Sequence, residues 1–132
     1  MKGTVRSMDP EVQDQVQARL SQVVLGTATA LGATATVDYR RGYPVTMNAA
    51  ENTGYAADVA QSVSGQIDRD CMPMMGAEDF SYMLNERPGA YIFVGNGATE
   101  MVHHPAYNFD DAVIPFGSSW YAGMVEARMP PA

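Results

Sequence analysis

The sequence predicts an α/β chain, with a partial βαβ half followed by part of a second α/β layer. Three observations carry that prediction. A long amphipathic helix near the start is flanked by two extended stretches, the second of them alternating; an uninterrupted apolar run covers residues 90–94; and a loop holding both histidines leads into a closing helix.

Lys2 to Ser7 is short and extended in character, with Val5 and Arg6 on opposite faces, and reads as a strand. A chain that opens so abruptly on a strand is expected to lack the beginning of its domain. Asp9-Pro10 then marks a helix start: an N-cap acceptor followed by a proline where no amide hydrogen is needed. Val12, Val16, Leu20, Val23, Val24, Thr27 and Leu31 recur at three and four as one apolar stripe, and Gly32 supplies the stop. Ala33 to Tyr39 alternates Ala35, Val37 and Tyr39 against Thr34, Thr36 and Asp38, as a half-buried strand does. Two strands and one helix bury too little to stand alone, so residues 1–43 read as half of a split βαβ layer.

Tyr43-Pro44 opens a linker. Asn48 and Glu51 form a capping-box-like pair for a helix to about Ser64, buried through Ala56, Val59, Ala60 and Val63. Gly65 to Pro73 is a loop or a short strand. Gly76 turns the chain into a short helix from Glu78 to Asn85. Ala90 to Val94 (AYIFV) has the continuous apolar character of a strand covered on both faces. Such a strand leaves backbone groups unsatisfied without neighbours, so its partner strands are expected from outside this sequence. Pro115 opens the last helix, with Phe116, Trp120 and Met124 on one stripe.

The totals exclude several classes of function. At 132 residues the chain is one ordinary domain by length, or pieces of two smaller ones. Apolar content of 46% and charged content of 17% describe a globular chain. A net charge of -7 argues against nucleic acid, which demands a basic face. One cysteine, Cys71, allows no internal disulfide and points to a reducing compartment. The N-terminus lacks the apolar core of a signal peptide, and no apolar run approaches the roughly 20 residues of a membrane helix. A soluble, cytoplasmic chain is expected. Ten methionines, with Met72, Met74 and Met75 clustered, read as flexible core filler.

The residues most like a site lie between Val94 and Gly117. In His103-His104-Pro105 adjacent extended side chains point opposite ways, so one histidine at most faces a given metal, and Pro105 holds His104 extended. A histidine at a strand-to-loop junction is a candidate zinc ligand, and equally a surface or hydrogen-bonded histidine. Glu78 and Asp79 are either a pair of site acids or charge at a helix N-terminus. Asp110 and Asp111 can orient a ligand histidine or cap the last helix, and capping is preferred for Asp111. Arg6 is a bidentate carboxylate clamp or a solvated edge-strand arginine. Cys71 has only Arg69 as a basic neighbour, which argues against a catalytic thiol.

Taken together, GTVRSMDPEV, VDYRRGYPVTMN, MMGAEDFSYML, PGAYIFVGNG and HHPAYNFDDAVIPFG resemble the metal-dependent aminoacylase and carboxypeptidase family. Within it the pattern is most similar to the branch of hippurate hydrolases and hydrolases of indole-acetyl amino acids. The resemblance runs over essentially the whole chain, which looks like the C-terminal portion of a longer family member. It implies that residues 1–46 are the second half of the lid and dimerisation domain, and residues 47–132 the C-terminal part of the zinc-peptidase-like α/β domain that binds metal. It implies further that His103 is the last metal ligand, that His104 stands at a variable position, and that Arg6 binds the substrate carboxylate. Gly76 and the loop to Glu78 and Asp79 would lie beside the substrate.

The implied cofactor is a divalent metal, zinc first, with manganese, cobalt or nickel as alternatives. The implied partners are an N-acyl amino acid, the missing N-terminal half and a second copy paired through the lid. The family's Cys-x-His motif, Glu-Glu pair and further histidine are absent here, and the general base goes with them. The expectation is therefore the C-terminal part of an amidohydrolase acting on N-acyl amino acids, inactive when isolated. The alternative is a non-catalytic remnant or a dimerisation module.

Overall fold

The computed structural model describes residues 1–129, and every regular element among them is helical. The helices are α1 (Pro10–Ala30), α2 (Ala50–Ser64), α3 (Phe80–Glu86) and α4 (Ile114–Arg128), with a 3₁₀ turn at Asp111–Val113 running into α4. The chain separates into two compact units. One comprises Met1–Met47 and Pro73–Arg87; the other comprises Asn48–Met72 and Pro88 to the C-terminus.

In the first unit, α1 begins where local chemistry dictates. The Asp9 carboxylate accepts hydrogen bonds from the amides of Glu11 (2.7 Å) and Val12 (3.2 Å), and Pro10 occupies the first turn. It ends in a two-bond C-terminal turn. Ala33 N–H donates to Ala28 O (2.8 Å) and Gly32 N–H to Thr29 O (3.0 Å), with Gly32 in the left-handed region at φ 68°. The apolar stripe is only partly covered: Val16 and Leu20 are half-buried, no residue of α1 is fully buried, and Leu31 just beyond it is 78% exposed. Arg41 reaches back to Asp14 (2.6 Å) and Gln17 (2.7 Å), an exposed ion pair of small energetic consequence. Tyr43 meets Tyr82 of α3 edge-on at 5.9 Å, and the one buried residue of this unit is Ser81.

The second unit is organised by the packing of α2 on α4. Ala56, Ala57 and Val59 are buried. Trp120 donates its indole N–H to Ala56 O (3.0 Å), and Arg128 lies over the Tyr55 ring at 3.6 Å. The close approach depends on Gly123, where an added Cβ would stand 2.9 Å from Val59 Cγ1. Small residues on α2 and a glycine notch on α4 let the two helices meet.

The α/β prediction is corrected by this structure. No strand and no sheet occur among the described residues, so neither the βαβ half nor the second α/β layer is present. The local alternation does survive. Val5 and Ser7 are half-buried with Arg6 exposed between them, and Ala35, Val37 and Tyr39 are half-buried while Thr34, Thr36 and Asp38 are exposed. Alternation decides which side chains face inward; a strand needs a neighbour's hydrogen bonds as well. The segment 90–94 departs further, with Phe93 63% and Val94 51% exposed. At Tyr91 the Asn48 side chain takes the place of a neighbouring strand: its Nδ2 donates to Tyr91 O (2.9 Å) and its Oδ1 accepts from Tyr91 N–H (2.8 Å).

That use of Asn48 also revises the start of α2. The N-cap is Ala49, without a side-chain cap bond, and Glu51 accepts from the Tyr55 hydroxyl one turn later. Gly65 to Pro73 is loop. Helix α3 starts at Phe80, so Glu78 and Asp79 both precede it. In α4, Trp120 and Met124 are half-buried as the stripe predicts, whereas Phe116 is exposed. Met72, Met74 and Met75 are exposed and fill no core.

Candidate functional site

The loop between residues 95 and 110 is held closed by side chains. Asn96 Nδ2 donates to Asn108 O (2.8 Å), and Asn96 Oδ1 accepts from Asp110 N–H (2.8 Å). The Thr99 hydroxyl accepts from Asn108 N–H (2.9 Å). One asparagine amide thereby fastens the two ends of the loop, since it can donate and accept at once. A cleft of about 400 Å³ lies against these residues, lined by Asn96, Thr99, Asn108, Phe109, Asp110 and Asp111 among others.

His103 and His104 lie between the fastened ends, both exposed. His103 is the one non-glycine residue with positive φ among those described, at 71°. The chain therefore turns at His103, in a region costly for most side chains though one where histidine is enriched. Its neighbour His104 is engaged in the same turn. His104 Nδ1 accepts from Ala106 N–H (3.1 Å), and His104 O accepts from Tyr107 N–H (2.9 Å). An Nδ1 that accepts carries no proton, so neutral His104 has its hydrogen on Nε2 and presents no free nitrogen lone pair. The two histidines are thus chemically distinct, and only the His103 ring is unengaged by this turn.

One nearby carboxylate, that of Asp110, has a structural role. Asp110 Oδ1 accepts from Ala112 N–H (2.9 Å) and caps the 3₁₀ turn, so the capping role preferred for Asp111 belongs to Asp110. No group of three or more His, Cys, Asp or Glu side chains able to hold a metal ion occurs among the described residues. A zinc site needs three or four such donors, and His103 alone does not supply them. The implied divalent metal does not fit the described residues.

The other sequence candidates belong to the first unit. Arg6 is exposed and makes no ion pair among the described residues. Gly76 is exposed, with no heavy atom within 4 Å of an added Cβ apart from its chain neighbours. Glu78 O accepts from the buried Ser81 hydroxyl (2.6 Å), and Asp79 O accepts from Tyr82 N–H (3.0 Å). Both residues serve the first turn of α3 through their backbone, whatever their side chains add.

Sequence reasoning missed the two asparagine clamps, Asn48 on Tyr91 and Asn96 on the loop ends, because their partners lie 43 and 12 to 14 residues away. It also missed the Glu51–Tyr55–Arg128 group, although the i, i+4 spacing of Glu51 and Tyr55 was a legible signal. There the Tyr55 phenol is raised above its ordinary pKa, first by the hydrogen bond it donates to Glu51 and then by desolvation, against the opposing pull of the Arg128 charge.

The described residues do not build the expected amidohydrolase centre, since they form neither a metal-ligand cluster nor a sheet core to carry one. No helix among them is long and apolar enough to cross a membrane.

Comparison with known proteins supplies the lineage. The chain is similar to an N-acetyl-L-cysteine deacetylase of Bacillus subtilis, 34% identical over 114 residues that cover 86% of this chain and 27% of that protein. It is similar to thermostable carboxypeptidase 2 of Saccharolobus solfataricus, 30% identical over 128 residues covering 92% and 32%. It is also similar to a hippurate hydrolase of Campylobacter jejuni, 28% identical over 126 residues covering 92% and 32%. The chain spans about a third of the length of these relatives. No solved structure matches it. Residues 4–127 match the model of Peptidase family M20/M25/M40, and the chain belongs to that family of hydrolases.

Proposed function

We propose that this chain is a non-catalytic interaction module of its family, one that pairs with a second copy through the helix and flanking segments of residues 1–46. The observation that carries this reading is α1. It is a 21-residue, well-capped amphipathic helix, yet none of its residues is buried. On its stripe Val12 is 45%, Val23 51% and Val24 36% exposed. Apolar surface of this kind gains roughly 25 cal/mol for each Å² removed from water, which favours association.

The chain corresponds to the C-terminal portion of a longer family member of the hippurate hydrolase branch. Residues 1–46 derive from the lid, and residues 47–132 carry the former metal-binding part. In this reading His103 is a solitary ligand position, and Arg6, Gly76, Glu78, Asp79 and His104 are remnants of the substrate side. An intracellular location accords with the single free Cys71.

Sedimentation equilibrium tests the reading. A dimer is expected, weakened when Val12 and Val23 are changed together to Lys, with α2–α4 helicity kept. A parent chain that remains monomeric across the concentration range sinks the proposal. So does zinc-dependent turnover of N-acetyl amino acids by the chain alone.

A further inference from the structure

The chain holds five asparagines, Asn48, Asn52, Asn85, Asn96 and Asn108, and Asn96 alone is followed by glycine. They differ in how the next peptide nitrogen is engaged. After Asn48, Ala49 N–H is held by Gly89 O (2.9 Å), and after Asn52, Thr53 N–H is held by Ala49 O (2.9 Å). Asn85 lies inside α3, where the helical ladder engages the amides. Asn108 precedes Phe109, whose side chain crowds the peptide between them. Gly97 N–H, by contrast, donates to nothing among the described residues, and Gly97 is exposed at φ 75°. An added Cβ there would meet no heavy atom within 4 Å beyond the chain neighbours, so this peptide is open to water.

We propose that Asn96 is a modification site, at which loss of the side-chain amide as ammonia releases the clamp on the histidine loop. The Gly97 nitrogen gives its proton to solvent base and bonds to Asn96 Cγ. The Cγ–Nδ2 bond breaks, and Nδ2 leaves as ammonia with a proton from water. Water then opens the resulting cyclic imide. Attack at Cγ gives aspartate, and attack at the Asn96 backbone carbonyl gives the isomer linked through its side chain. The sum is amide plus water to acid plus ammonia, with no change of oxidation state. The fold assists at one atom: Asn96 Oδ1 already accepts from Asp110 N–H (2.8 Å), a donor placed where negative charge develops during the attack. Nδ2 is also the donor to Asn108 O (2.8 Å), so its departure removes that bond outright. The carboxylate that replaces it has no proton to offer the Asn108 carbonyl, and it adds negative charge close to Asp110. Across the loop ends only the Thr99 tie to Asn108 (2.9 Å) is left untouched.

The test is incubation of the whole chain in mildly alkaline buffer, with peptide mapping by mass spectrometry and amide exchange over residues 95–110. Conversion at Asn96 is expected to outpace that at each other asparagine by about tenfold or more, and to quicken as pH rises. Gly97→Ala should slow it by about tenfold. Asn96→Asp, made directly, should speed amide exchange at Asp110 while α2–α4 helicity is kept, as should the converted fraction of the parent chain. The proposal is overturned if another asparagine converts as fast as Asn96, or if exchange at Asp110 is the same in the Asn96→Asp variant as in the parent.

Discussion

Helix α1 and the pair formed by α2 and α4 make an instructive contrast. By sequence α1 is the stronger element: longer, capped at both ends, and striped at helical spacing throughout. Yet none of its residues is fully buried, while α2, with no side-chain cap at its N-terminus, contributes Ala56, Ala57 and Val59 to the core. A stripe states that a helix has a face to cover. Whether that face is covered depends on a partner of the right shape, and α4 provides one through Gly123 and Trp120. The local signals that make a helix and the contacts that anchor it are separate determinants.

Substitutions in the packed pair should therefore cost far more than substitutions along α1. The largest expected effect is Trp120→Ala, which removes a half-buried ring and the hydrogen bond to Ala56 O. A loss of about 2–3 kcal/mol in chemical denaturation is predicted, and a change below the measurement error would show that α4 does not hold α2. Gly123→Val should cost about 1–3 kcal/mol, because its Cβ meets Val59 and both helices must shift. Asn48→Ala removes the side chain that bonds both backbone groups of Tyr91 and should cost about 1–2 kcal/mol, with amide exchange at Tyr91 accelerating first. On α1, Val24→Lys should change monomer stability by less than about 0.5 kcal/mol; a larger loss would mean that the helix is anchored after all.

The smallest expected effect is a titration. Because the Tyr55 phenol is raised above its ordinary value of 10.0, its contribution to stability is complete below that pH and fades as pH rises through the higher folded value. Glu51→Gln removes the anionic acceptor and should lower the Tyr55 midpoint, read from its ring carbon by NMR. An unmoved midpoint would show that Glu51 is not the cause.

What was legible came from short-range chemistry. Asp9 with Pro10, Gly32 and Gly65 mark the helix ends that the structure shows, because capping acts within about four residues. The site was partly legible. His103 and His104 do share an exposed loop, but nothing in their adjacency revealed that one turns through positive φ while the other accepts from Ala106. The strands were over-read. The alternation at residues 33–39 is real in its burial, yet a ladder is a contact between distant segments, and no described segment pairs with this one.

The amino-acid sequence by itself determined both ends of α1, the faces of the extended segments and the family, since each rests on residue identities at fixed local spacing. Tertiary structure alone decided which faces are covered, which asparagine stands in for a strand, and whether any ligands gather around His103. Those outcomes depend on groups far apart in sequence meeting within hydrogen-bond or van der Waals distance, and such meetings have no signature in local spacing.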